Sequence, residues 1–259
     1  PNDTIEKEPI ENIEFYITDH SLRYPEKYKS EELRQMYAEI IKHGITSVRF
    51  DFDWDKMMPE EGVKNKEIID RYMEAMKIMR EVGLKPPTLV LSTPPKWAEE
   101  QYKKDKEGFF KSYREYAKLI AASLRESDLE VREVQLFNEI NHAFLFDYVD
   151  IEDLPKISKI IRETICEASP ETKISTSIIA GNLNDMISKG LMKESVLEFL
   201  DKHEAVLKNS VDTISVDYYP GVWHKPFIGK ANDLEPLKQV FEKLAGWGID
   251  YELGESGLP

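Results

Sequence analysis

Seven short, apolar-rich runs recur along this chain, and each of the first six is followed by a segment of helical periodicity. Strands of that kind, alternating with amphipathic helices, require cover on both faces, which a parallel sheet packed against helices supplies. The strand-like runs span 13–19, 45–54, 87–93, 131–139, 173–180, 212–219 and 251–255. The helical segments span 30–43, 66–82, 108–126, 153–168, 193–208 and 232–245, with Gly44 and Gly83 as stops for the first two. No glycine-rich fingerprint follows the first strand, so a doubly wound dinucleotide-binding sheet is disfavoured. The reading is an α/β chain with a (β/α)8-type TIM barrel over residues 1–259 as one catalytic domain, at a length ordinary for that fold. An eighth βα unit, about 30 residues, is not evident. The chain is therefore expected to be a fragment, to form an open barrel, or to use residues 1–12 in a way the pattern does not reveal.

Hydrophobic residues make up 41% of the chain, enough for a substantial core, and no apolar run approaches the roughly 18 residues of a membrane span. With 49 acidic against 35 basic residues the net charge is -14, which argues against a phosphate-backbone ligand. Neither nucleic acid nor membrane is expected as a partner. Cys166 is the single cysteine, excluding an internal disulfide and a thiolate cluster, and it reads as a small buried side chain. The chain starts at Pro1 without an initiator Met, so the expectation is a processed or trimmed N-terminus. Compartment, cytoplasmic or secreted, and oligomeric state stay open.

In a βα barrel, chemistry gathers where the strands end at their C-terminal side. The polar residues there are Asp19 and His20, then Arg49 to Asp55, Thr93 to Trp97, Asn138 and Glu139, Asp217 to Tyr219, and Glu255. Two glutamates, Glu139 and Glu255, end strands four and seven on opposite sides of the expected mouth. Hydrolysis of a glycosidic bond needs such a pair: a protonated carboxyl beside the leaving oxygen and an ionised carboxylate under the ring. Either glutamate alone would read more readily as a loop ion-pair partner than as a catalytic group. The pair, with polar neighbours and aromatics at intervening strand ends, favours chemistry.

Phe137-Asn138-Glu139-Ile140-Asn141 resembles the strand-four Asn-Glu-Pro signature of the clan A retaining glycoside hydrolases, and Leu253-Gly254-Glu255-Ser256-Gly257 resembles their strand-seven nucleophile segment. Val48-Arg49-Phe50, Ile214-Ser215-Val216-Asp217-Tyr218-Tyr219 and Ser92-Thr93-Pro94-Pro95-Lys96-Trp97-Ala98 are similar to that clan's strand two, strand six and strand-three loop. The resemblance implies double displacement with Glu139 as acid/base and Glu255 as nucleophile. It also implies an Asn138 bond to the sugar 2-hydroxyl, an Arg49 that keeps the nucleophile ionised, and a tyrosine hydroxyl on Glu255, Tyr219 by register or else Tyr218. Ile140 stands where the clan has Pro, the clan's strand-three histidine is replaced by Ser92 and Thr93, and its strand-eight tryptophan is absent, with Trp223 a substitute. A carbohydrate-binding barrel without turnover is the alternative function.

Glu255 is expected to be ionised beside Arg49 and Tyr219, and Glu139 to be raised by apolar neighbours and by the charge of Glu255. Asp51, Asp53 and Asp55 alternate like a calcium loop, but Lys56 and Gly62 occupy the positions where that loop needs Gly and Glu. His20, His142 and His224 follow no zinc spacing and read as sugar or loop hydrogen-bonding groups. Neither metal nor other cofactor is expected. Trp54, Trp97 and Trp223 fit sugar-stacking platforms or core equally, and Trp247 reads as core.

Overall fold

The computed structural model describes residues 14–23, 28–91, 93–142, 149–180, 194–219 and 234–256. Its seven strands lie in one all-parallel sheet in sequence order. They are β1 (Phe15–Asp19), β2 (Ile45–Asp51), β3 (Thr88–Leu91), β4 (Glu133–Leu136), β5 (Lys173–Ile179), β6 (Thr213–Tyr218) and β7 (Asp250–Ser256). Around them run α1 (Ser30–Lys42), α2 (Trp54–Met57), α3 (Lys66–Val82), α4 (Lys96–Lys104), α5 (Lys106–Ser127), α6 (Leu154–Arg162), α7 (Ile165–Ala168), α8 (Val196–Ser210) and α9 (Glu235–Ala245). The sheet curls into a nearly closed TIM-type barrel. Across the remaining gap the Tyr16 hydroxyl of β1 donates to the backbone carbonyls of Leu253 and Gly254 on β7, at 3.0 and 2.8 Å.

Local chemistry explains the helix limits. Asn65 caps α3, which stops at Gly83 with φ +98°, a conformation that favours glycine. Asp105 caps α5, and a reciprocal Ser195–Glu198 box opens α8. Where the sequence pattern implied one helix over 153–168, the structure breaks into α6 and α7 at Glu163 and Thr164. Helix α4 falls where the sequence suggested loop, because its first turn follows Pro94 and Pro95.

Strand register sorts the side chains into two sets. Val48, Phe50, Leu89, Val134, Leu136, Ile174, Ile214 and Val216 point outward and are buried under the helices. The inward set is mostly polar: Tyr16, Thr18, Ser47, Arg49, Asp51, Gln135, Ser175, Ser177, Ser215, Asp217 and Glu252. Barrel interiors are commonly filled by branched aliphatics. This one is instead a stack of hydrogen-bonded polar layers, and the apparent apolar runs are alternations with an apolar outer face.

Candidate active site

Arg49 organises the upper interior. It is 3% exposed and donates from Nε to Gln135 Oε1 at 2.8 Å, from Nη1 to Thr18 Oγ1 at 3.3 Å, and from Nη2 to Asn138 Oδ1 at 2.8 Å. Nη1 also donates to Glu255 Oε1, and the Tyr219 hydroxyl donates to Glu255 Oε2. Glu255 thus accepts on both oxygens, the bonding pattern of a carboxylate. Burial opposes the charge on Arg49, but the charge of Glu255 leads the effects that outweigh it and push its pKa up. The Tyr219 hydroxyl is driven far above the ordinary phenol range by burial and by its bond to Glu255.

Glu139 is built differently. β4 ends at Leu136, and the next residues turn sharply, with φ of +62° at Phe137 and +48° at Glu139. Such left-handed backbone at non-glycine residues costs on the order of 1–3 kcal/mol each and persists only where packing over-determines it. Here Phe137 is buried, the Glu139 amide donates to Ser177 Oγ at 2.8 Å, and the His142 amide donates to the Glu139 carbonyl at 2.7 Å. The Glu139 side chain makes no hydrogen bond among the described residues and is 7% exposed. Burial first, and the charge of Glu255 second, push its pKa up to about 7, with Arg49 opposing. One glutamate is gripped by donors and the other is desolvated, so the two environments differ in how readily they hold a proton.

The structure brings Arg49, Asn138, Tyr219, Glu255 and Glu139 together. Asn138 sits between Arg49 and the Ser177 hydroxyl, which donates to its Oδ1 at 3.0 Å. His20, mostly exposed, places Nδ1 3.0 Å from Asp51 Oδ2, one layer above the contact of Thr18 with Arg49. His142 is half-buried beside the Glu139 turn, and burial lowers its pKa. Trp97 is half-buried and donates from Nε1 to the Met58 carbonyl at 3.3 Å.

Two expectations are corrected. Trp54 is 2% exposed, stacked on Tyr116 at 5.1 Å and edge-on to Tyr113 and Trp97, so it is a core residue and offers no face to a sugar. Strand β2 stops at Asp51, and the turn into α2 is what carries Trp54 away from the mouth. Tyr218 shares the outward parity of Ile214 and Val216 and is buried there, leaving Tyr219 to reach Glu255. Trp223, His224 and Ser92 lie outside the described residues.

Gln135, Ser177 and Thr18 were not singled out by the sequence, and Asp217 was noted only as a strand-end acid. Gln135 was visible in principle, because a polar amide inside VQLF, two residues from Glu133, must find partners when buried. It accepts from Arg49 and donates to the Phe137 carbonyl and to Ser177. Among the described residues, no group of three or more His, Cys, Asp or Glu side chains is placed to hold a metal ion.

A parallel barrel with this pair of glutamates at the C-terminal ends of strands four and seven defines a glycoside hydrolase of clan A. Sequence comparison makes the assignment particular: the family model for glycosyl hydrolase family 53 matches residues 91–247, more than half of the chain, and the chain belongs to that family. The match includes Glu139 and Tyr219 and stops short of Glu255. A second model, described as beta-galactosidase, matches residues 23–109, which contain Arg49. No curated protein matches the chain. Solved structures with the same fold include beta-glycosidase BGL167, at 16% identity and TM-score 0.64 over 88% of this chain and 67% of that one. A beta-glycosidase from Pyrococcus horikoshii aligns at 16% identity and TM-score 0.61, over 94% of this chain and 74% of its own. The exo-beta-1,4-mannosidase Op5Man5 from Opitutaceae bacterium strain TAV5 aligns at 17% identity and TM-score 0.69, over 95% of this chain and 46% of its own.

Proposed function

We propose that the protein cleaves β-linked glycosides with retention of anomeric configuration, with Glu139 as acid/base and Glu255 as nucleophile. The observation that carries the reading is the contrast between the two glutamates: Arg49 and Tyr219 bond both oxygens of Glu255, while Glu139 is buried, without a side-chain hydrogen bond among the described residues, and near pKa 7. The β linkage is supported by the beta-glycosidase names of its structural relatives and the beta-galactosidase model.

In the first step a Glu255 oxygen attacks the anomeric carbon, the bond to the leaving oxygen breaks, and Glu139 protonates that oxygen. In the second, Glu139 takes a proton from water, whose oxygen attacks the anomeric carbon and frees Glu255. Charge stays balanced throughout, since the anion beside Arg49 passes from Glu255 to Glu139 and back. Asn138, with its Oδ1 held by protein donors, turns its amide N–H groups to a sugar hydroxyl, and His20 and Trp97 line the sugar site.

A panel of aryl β-glycosides, with release of the phenol as readout, tests the reading. Release that collapses in both Glu139→Gln and Glu255→Gln, with the first sugar product in the β configuration, is the expected result. An α product would replace double displacement by inversion, and absence of release from every glycoside would sink the hydrolase assignment to these residues.

A further inference from the structure

A third carboxyl lies beneath the catalytic pair. Asp217, on the inward face of β6, is fully buried, and among the described residues neither of its oxygens makes a hydrogen bond of ordinary geometry. The groups that face it are Tyr16 from β1, Arg49 from β2, Glu139 after β4, Ser177 from β5, Tyr219 just after β6 and Glu255 from β7. A Cβ at Gly254 would run into the Asp217 carboxyl and would lie 2.9 Å from the Ser215 Cβ. The carboxyl therefore fills the space that β7 leaves by carrying glycine immediately before the nucleophile.

An ionised carboxylate buried without a partner is costly. The cation beside it is Arg49, but that guanidinium is already engaged by Gln135, Thr18, Glu255 and Asn138. A charged Asp217 would draw it from Glu255 and oppose both catalytic carboxylates. Burial, then the charge of Glu255, holds the Asp217 pKa well above the usual carboxylate range, against the pull of Arg49 and the Ser177 hydroxyl.

We propose that Asp217 is a positioning residue of this site: a neutral, buried carboxylic acid, packed under Gly254, that leaves Arg49 to Glu255. Its consequence for turnover rests on the glycosidase reading above; its neutrality does not. The catalytic cycle needs one anion beside Arg49 at each stage, and a second one would stop it.

The test compares Asp217→Asn with the parent. Thermal midpoints measured from pH 4 to pH 9 read the neutrality without turnover. The folded parent keeps a proton on Asp217 that the unfolded chain releases above the ordinary carboxylate range, so as pH rises the parent loses, through this group, stability that the variant keeps. The midpoint of the variant minus that of the parent is expected to climb with pH. A flat or falling difference would mean that Asp217 is ionised in the folded protein and would overturn the proposal. If Asp217→Asn does not fold, Asp217→Ser reads the same trend. On an aryl β-glycoside, the alkaline fall of kcat/KM is expected to be steeper in the parent than in the variant, because only the parent has a second group to ionise. Equal slopes would overturn the positioning role, and silence of both proteins would sink the hydrolase reading while the midpoints still decide the state of Asp217.

Discussion

Arg49 donates to Asn138 through Nη2 and Oδ1 at 2.8 Å, and that single bond ties the turn that carries Glu139 to the partner of Glu255. Gln135 and Ser177 donate to the same oxygen at 3.2 and 3.0 Å. With three donors converging on its carbonyl oxygen, the Asn138 side chain can offer a substrate only its amide hydrogens. Asn138→Ala is expected to lower kcat/KM by about 10²-fold, as loss of one preorganised donor does, and Asn138→Asp by more, since it adds a charge. Steady-state kinetics on an aryl β-glycoside check both.

The alkaline limit of activity should lie near pH 7. In the proposed mechanism Glu139 must carry a proton, and with its pKa at about 7 it loses that proton as pH rises through neutrality, so kcat/KM should fall above pH 7. A full kcat/KM profile measures the limb, and a fall beginning near pH 5 would contradict the burial of Glu139.

The same shift has a stability signature. The folded protein binds the Glu139 proton more tightly than the unfolded chain, so stability is lost as pH rises from the ordinary glutamate range to about 7. Glu139→Gln removes that loss, and its thermal midpoint should exceed the parent's above pH 7 by the equivalent of about 1–3 kcal/mol.

Arg49→Lys should behave as a severe substitution. A single ammonium cannot reproduce donation to Gln135, Thr18, Asn138 and Glu255 together, and it leaves buried acceptors unmatched. Loss of about 10³-fold in kcat/KM, with a lower unfolding midpoint, is expected.

The two tyrosines of strand six should separate cleanly. Tyr219→Phe removes a donor to Glu255 and should reduce kcat/KM by roughly 10–10²-fold with little change in stability. Tyr218 faces the helices, so Tyr218→Phe should act on the unfolding midpoint and leave kcat/KM within about twofold of the parent.

Much of this was legible before any coordinates. Strand and helix alternation located all seven strands, and the order of short motifs located Arg49, Asn138, Glu139, Tyr219 and Glu255. What the pattern missed follows from tertiary geometry. The run 131–139 looks like one strand because the backbone reversal at Phe137 and Glu139 has no glycine to announce it; Ser177 and the packing of Phe137 impose it. Trp54 looked like a platform because it follows strand two, but α2 begins at that residue and swings the ring under Tyr116. Asp217 was visible as a strand-end acid, yet its lack of partners depends on how β6 and β7 pack, which spacing does not encode.

Tyr16 meets Gly254 across 238 positions of sequence, and Arg49 meets Glu255 across 206. Contacts between such remote parts of a chain come late and slowly in folding, because the intervening loop entropy is lost before they form. Glu255 acquires its cation only when β7 has reached the β1–β2 end of the sheet. Glycosidase activity should therefore lag behind helix formation during refolding, so that turnover reports the joining of the barrel's two margins.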